Sequence, residues 1–317
     1  MQKAALLYNP DSGGRRSRRQ SELELVLALL RSAGVEANLI LTDSRDHAEE
    51  KAREAVQAGC DTIFACGGDG TIHNLTQVLA NTDAALAVLP MGTANALAHD
   101  LGLPMKVVPA ANELLKAKPR RVALGKIQYQ DFSGKPACRF FVIAAGIGVD
   151  AHLFYKLVPG TKRRLGMAAY YARAWHLWFT YAMNRFRVEY TEAGSDQPQK
   201  AELTELLGVR IRNFGGLLDE LAPGASLDRN DLRLILCRTS SRTAYLSYVT
   251  RAMLKGNWNI PGIELVSASK AVCSYPANNS RHSQPRIYVE ADGELLGTLP
   301  VEITMVPNAL TVLSPTL

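Results

Sequence analysis

The run Cys66-Gly67-Gly68-Asp69-Gly70-Thr71 constrains this chain more than any other. An apolar, β-prone stretch over 62–66 precedes it, and a helical pattern over 71–79 follows. Strand, glycine-rich turn and helix in direct succession open a βα unit. Gly67, Gly68 and Gly70 let backbone N–H groups approach a ligand more closely than side chains would permit. The following helix begins with unsatisfied N–H groups and the positive end of its dipole. That geometry attracts phosphate. Asp69 cannot itself bind phosphate, but it can hold the cation that neutralises one. A bare tight turn would use the glycines equally well and would leave Asp69 unaccounted for.

The first hundred residues repeat the βα pattern. Strands are expected over 4–8, 35–42, 62–66 and 85–89. Leu23, Val26, Leu27 and Leu30 fall at i, i+3, i+4 and i+7, an amphipathic helix that ends near Gly34. Asp46 is the expected cap of a helix with Ala48, Ala52, Ala55 and Val56 on one face. Ala94, Leu97, Ala98 and Leu101 mark a helix face stopped by Gly102 and Pro104. Repeated βα units imply a doubly wound parallel sheet, with ligands beyond the carboxyl ends of its strands. The loops leaving those ends, 9–14, 67–71 and 91–95, are rich in small and polar residues.

Beyond Pro119-Arg120 the pattern becomes β-rich. Strands are expected over 122–128, 139–149, 186–191, 205–212, 231–238, 263–275, 286–291 and 301–306. Helical segments interrupt them over 166–183 and 242–255. The expected fold is therefore an N-terminal α/β nucleotide domain (1–120) and a C-terminal β-sandwich domain (121–306), with residues 307–317 returning as a strand to the first.

Hydrophobic content of 47% and a length of 317 residues suit two globular domains. The net charge of +6 fits anionic substrates or an anionic membrane surface, and nucleic acid is not among the expected partners. The five cysteines are scattered and form no CxxC pair, which argues against a disulfide scaffold or a zinc site. No run of about 18 apolar residues is present, and no signal-peptide pattern opens the chain. A cytoplasmic enzyme is expected, peripheral at the inner membrane surface if its substrate lies there.

Further candidates lie on the same sheet edge. Asn9 can bridge its loop and a nucleotide. Thr42 ends the second strand, where capping or loop solvation explains it equally well. Thr93, in Pro90-Met91-Gly92-Thr93-Ala94-Asn95, can cap its helix and offer a hydroxyl to phosphate. Far downstream, Asp292-Gly293 is a strong hairpin signal. Glu294 beside it is either part of that turn or a carboxylate able to take a proton from a substrate hydroxyl.

Together these pieces resemble the diacylglycerol kinase catalytic family, the soluble bacterial lipid kinases related to sphingosine and ceramide kinases. The resemblance rests on Tyr8-Asn9-Pro10 with Ser12-Gly13-Gly14, the Gly67 to Thr71 run, Pro90 to Asn95 with Leu97-Ala98 and Leu101-Gly102, Gly146-Ile147-Gly148-Val149-Asp150, Ala222-Pro223 with Ala225-Ser226-Leu227, and Asp292-Gly293-Glu294. It implies Mg²⁺-ATP as donor, a lipid hydroxyl as acceptor, and an active site in the cleft between the domains. It places Asn9, Thr42, Gly67, Gly68, Asp69, Gly70, Thr71 and Thr93 against ATP. It makes Asp69 the support of the phosphates through Mg²⁺, and Glu294 the general base.

The sequence departs from the family twice. Ala96 stands where the family commonly has Asp. Arg229, within Leu227-Asp228-Arg229-Asn230-Asp231-Leu232, falls where an Asp of a structural Mg²⁺ site would lie. Either Asp228 or Asp231 substitutes, or that metal is absent or altered; a site built around Arg does not suit Mg²⁺. Basic residues 162–164 ahead of Tyr170, Tyr171, Trp175, Trp178 and Phe179 suggest a membrane-facing or acyl-lining helix, or one packed on the sandwich. Arg15, Arg16, Arg18 and Arg19 form a second basic cluster near the first phosphate loop, able to guide ATP or anionic lipid, or simply solvating a helix start. An NAD kinase-like phosphotransferase and a non-catalytic lipid-binding regulator are the alternatives. The acceptor lipid is not legible, and a homodimer is left open.

Overall fold

The computed structural model describes residues 1–10, 16–149, 151, 182–216, 220–254, 256, 259–276 and 285–315, and of residues 16–18 the backbone alone. The expected phosphate-loop residues 11–14, Arg15, Asp150 and the basic–aromatic segment 161–181 lie outside these residues. The chain forms two compact units, Met1–Leu124 with Asn213–Asp219 and Val306–Leu317, and Gly125–Arg212 with Glu220–Met305.

The first unit alternates strand and helix: β1 (Lys3–Tyr8), α1 (Arg16–Ser32), β2 (Glu36–Leu41), α2 (Arg45–Gln57), β3 (Thr62–Gly67), α3 (Asp69–Leu79), β4 (Ala85–Pro90), α4 (Ala96–Asp100) and α5 (Val107–Lys116). With the end of β14 (Glu294–Ser314) they make a parallel sheet ordered β2-β1-β3-β4-β14. β3 and β4 are buried along their whole length, the mark of strands covered on both faces. Leu23, Val26 and Leu30 are fully buried under α1, and Gly34 with φ +83° ends that turn.

Four local details differ from expectation. Ser44, not Asp46, caps α2: its extended backbone lets Oγ accept from the His47 N–H at 3.2 Å, while Asp46 is already helical. Thr93 caps no helix, because α4 begins at Ala96 behind the left-handed Asn95. The helix expected over 71–79 starts at Asp69, with Gly68 as its cap, so the acid sits inside the first turn. α5 was unexpected, although Val107, Ala110, Ala111 and Leu114 bury one helical face. Pro109 obscures the pattern but falls in the first turn, where it is tolerated.

The second unit is antiparallel. It contains β5 (Lys118–Gln130) from Gly125 onward, β6 (Pro136–Phe141), β7 (Ala144–Gly148), β8 (Phe186–Glu192), β9 (Pro198–Leu203), β10 (Glu205–Val209), β11 (Leu232–Cys237), α6 (Arg242–Met253), β12 (Ile263–Ser274) and β13 (Tyr288–Ala291). The strands order β13-β7-β10-β11-β12-β8-β9; β14 pairs with both β12 and β13, and β5 pairs with β6 and β14. Phe141, Ile147, Phe186, Leu206, Leu234, Val289 and Ile303 are among its core residues. The single strand expected over 139–149 is two, β6 and β7. The break falls where backbone N–H groups turn away from strand pairing toward the Asp292 carboxylate.

Candidate active site

Parallel register brings the candidate loops together. Tyr8 pairs with both Leu41 and Cys66, and Gly67 pairs with Pro90. β1, β2, β3 and β4 therefore end at one level, and Asn9, Thr42, Gly68 and Met91 follow side by side. Two hydrogen bonds extend this ladder into the loops: Thr42 N–H donates to the Tyr8 carbonyl at 2.9 Å, and Met91 N–H to the Gly67 carbonyl at 3.0 Å.

The glycines are required by contact. A Cβ on Gly67 would lie 2.2 Å from Thr71 Oγ1. A Cβ on Gly92 would lie 2.4 Å from Gly68 Cα and 2.8 Å from Asn95 Oδ1. Two loop backbones thus touch with no room for a side chain. Asn95 locks the second loop: its Oδ1 accepts from the Gly92 N–H at 2.7 Å, and its Nδ2 donates to the Gly92 carbonyl at 3.2 Å.

These loops border a cavity of about 370 Å³. Asn9, Thr42, Gly68, Gly70, Thr71 and Thr93, each an expected nucleotide contact, line it. Gly67 is buried beneath the loop, and Asp69 occupies the first turn of α3 next to the lining residues. Arg19, Ser44, Arg45 and Asn74 line the cavity as well, and sequence reasoning singled out none of them as nucleotide contacts except Arg19 within a basic cluster. Asn74 was findable: it lies three residues after Thr71 on α3 and so shares its face. Its amide oxygen is buried, with no hydrogen-bond partner among the described residues. Among the described residues two arginines and no carboxylate line the cavity, so its charge there suits an anion. Cys66, below the loop, is no nucleophile at neutral pH, because complete burial pushes its thiol far above the usual range.

The second unit holds the other candidate. Asp292 and Gly293 have φ of +50° and +81°, the conformation of a tight two-residue hairpin between β13 and β14. The Asp292 side chain does more than turn the chain. Its buried carboxylate accepts from the N–H groups of Val142 at 3.1 Å, Ile143 at 2.8 Å and Ala144 at 3.1 Å. Its own N–H returns a bond to the Ala144 carbonyl at 2.8 Å. Buried Glu290 accepts from the Gly293 N–H at 2.8 Å. The turn is thus gripped at both of its residues, and partly exposed Glu294 opens β14 opposite Ala291.

Known protein families match two successive stretches of the chain. The family model of the diacylglycerol kinase catalytic domain matches residues 3–127. That of the YegS C-terminal NAD kinase beta sandwich-like domain matches residues 143–314, more than half of the chain. The chain belongs to the diacylglycerol kinase catalytic-domain family of lipid kinases. A diacylglycerol kinase of Bacillus subtilis (strain 168) is 28% identical over 318 residues, covering 99% of this chain and 97% of that protein. One from Staphylococcus aureus (strain bovine RF122 / ET3-1) is 25% identical over 315 residues, 99% of this chain and 92% of its own length. A crystal structure of a diacylglycerol kinase from Bacillus anthracis str. Sterne superposes with a TM-score of 0.72 at 22% identity, covering 99% and 97% of the two chains. Yeast NADH kinase complexed with NADH matches with a TM-score of 0.53 at 10% identity, covering 99% of this chain and 84% of that one. At these identities the structural likenesses speak to fold alone.

In this lipid kinase the loop expected to bear on a structural cation has its acids engaged. Asp231 receives both Nε (2.7 Å) and Nη2 of Arg229, and the Asp228 carboxylate accepts from Ser226 Oγ at 3.4 Å. Among the described residues no group of three or more His, Cys, Asp or Glu side chains could hold a metal ion, and no helix is long and apolar enough to cross a membrane.

Proposed function

We propose that the protein transfers the γ-phosphate of Mg²⁺-ATP to a lipid hydroxyl, of diacylglycerol or a sphingoid-type acceptor, presented at a membrane surface. The observation that carries this reading is the common level at which the first four strands end. It sets Asn9, Thr42, Gly68, Gly70, Thr71 and Thr93 around one anion-suited cavity. The glycine backbone lets the start of α3 come close to phosphate oxygens, at the positive end of the helix dipole. Arg19 and Arg45 offset the charge of the phosphates, and Asn74 offers its unmatched amide oxygen to the nucleotide.

Asp69 would hold the nucleotide's Mg²⁺, which when bound neutralises developing phosphate charge. Glu294 accepts the proton of the lipid hydroxyl. The hydroxyl oxygen forms its bond to the γ-phosphorus as the bond from phosphorus to the β–γ bridging oxygen breaks, and ADP leaves with that electron pair. The reading assigns the nucleotide to the first unit and the acceptor to the second, with the reaction where Glu294 reaches the γ-phosphate. Asp292 and Glu290 hold the backbone from which Glu294 projects, so the base is preorganised.

The test is transfer of labelled γ-phosphate to a panel of lipids in mixed micelles, with NAD as a further acceptor. Glu294→Gln should keep nucleotide binding and lose at least about 100-fold in turnover. Asp69→Ala should lose activity through weakened Mg²⁺-ATP positioning. Labelled NADP would replace the lipid reading with the NAD kinase-like one. Nucleotide binding without transfer to any acceptor would favour a regulatory protein, and a Glu294→Gln protein that turns over normally would remove the base assignment.

A further inference from the structure

Arg210 directly follows β10 and is wholly buried. A guanidinium so far from water is strongly disfavoured unless its donors are met. Its terminal Nη donors are met by one loop. Nη1 donates to the Arg229 carbonyl at 2.8 Å and to the Asp231 carbonyl at 2.5 Å. Nη2 donates to the Leu227 carbonyl at 3.3 Å. The Arg210 N–H is bonded to the Ile143 carbonyl at 2.9 Å, so the side chain grows from a fixed strand end.

Carbonyls of alternate residues, 227, 229 and 231, therefore converge on one point. A loop that turns its oxygens inward in this way is suited to a hard cation. The family resemblance leads one to expect Mg²⁺ in this loop, and the residues do not fit it. The convergence point is taken by the guanidinium. The carboxylate of Asp231 is clasped by Arg229, and that of Asp228 faces Ser226 Oγ. Arg233 secures the other end of the loop, donating from Nε to the Pro223 carbonyl at 2.8 Å.

We propose that Arg210 is this loop's own cation: its guanidinium occupies the place of a divalent ion and makes the fold of the second unit independent of Mg²⁺. The protein's Mg²⁺ requirement is then that of its nucleotide alone. A planar, permanently charged fork suits the task, since it reaches several oxygens at once and cannot be chelated away.

The proposal is tested without any activity measurement. The nucleotide-free chain is dialysed against EDTA, its metal content is determined by mass spectrometry, and its melting temperature is compared with and without added MgCl₂. No stoichiometric divalent ion and an unchanged melting temperature are expected. About one tightly held ion per chain, or a drop of several degrees on chelation that Mg²⁺ reverses, would overturn the proposal. Arg210→Met, which keeps the apolar stem and removes the charge, should lower the melting temperature by roughly 5–15 °C in EDTA. Arg210→Lys should recover only part of that loss, because an ammonium cannot span the three carbonyls. An Arg210→Met protein as stable as the parent in EDTA would refute the assignment. The parent's metal content and EDTA response decide the question even where a variant does not fold.

Discussion

Replacing Asp292 tests how the hairpin carries Glu294. The carboxylate accepts three backbone N–H groups, at 3.1, 2.8 and 3.1 Å. Ile143 and Ala144 share Oδ1, and Val142 uses Oδ2. Asn tolerates the left-handed backbone that Asp292 adopts at φ +50°. Asp292→Asn thus keeps the turn and one acceptor oxygen, but sets an NH₂ against the Val142 N–H. Leaving that one buried donor unmet costs about 1–3 kcal/mol. Asp292→Ala leaves all three donors unmet and adds the strain of a left-handed Ala, for about 4–11 kcal/mol if the losses add.

The assay is native-state hydrogen exchange at the amides of residues 142–144, read with kinase turnover on the same samples. Each 1.4 kcal/mol of lost protection is about tenfold faster exchange. Asp292→Asn should speed Val142 exchange by about 10-fold to 100-fold and spare Ile143 and Ala144. Asp292→Ala should expose all three. Turnover should fall in the same order, with nucleotide affinity unchanged, because the nucleotide cavity draws no residue from this turn. An Asp292→Ala protein with parental protection at these amides would refute the reasoning.

Gly92→Ala places a methyl 2.4 Å from Gly68 Cα, so the two loops must part by about 1 Å. ATP affinity by calorimetry should fall at least about 10-fold while the melting temperature changes little, and unchanged affinity would remove the close-approach argument. Burial raises the thiols of Cys66, Cys237 and Cys273 above their ordinary 9.0. Folded, they stay neutral where the unfolded chain ionises, so their contribution is complete below about pH 9 and is lost as pH rises beyond it. Each should remove about 1.4 kcal/mol per pH unit above that point, and buried Tyr245 and Tyr248 should steepen the loss above their ordinary 10.0. A melting temperature flat from about pH 8 to 11 would contradict this. In the native protein a thiol reagent should reach exposed Cys138 first and half-buried Cys60 more slowly, with all five cysteines reacting only after unfolding.

What the sequence determined by itself was local. Apolar runs, helical spacing and turn residues act within a few positions, so the βα order, the glycine loop and the Asp292-Gly293 hairpin were legible. In the last strand Thr311 pairs with Ala85 of the first unit. Arg139 to Val149 misled because its composition is continuous with β structure, while its break depends on a partner 148–150 residues away. Arg45 joined the cavity only through parallel register, which aligns strand ends that sequence separates. Arg210 looked like an ordinary basic residue in a strand, and Arg229 like a lost metal ligand. Only the closed tertiary structure shows that one arginine fills the loop and the other neutralises its acid, because burial removes water and obliges each charge to find its partners across the fold.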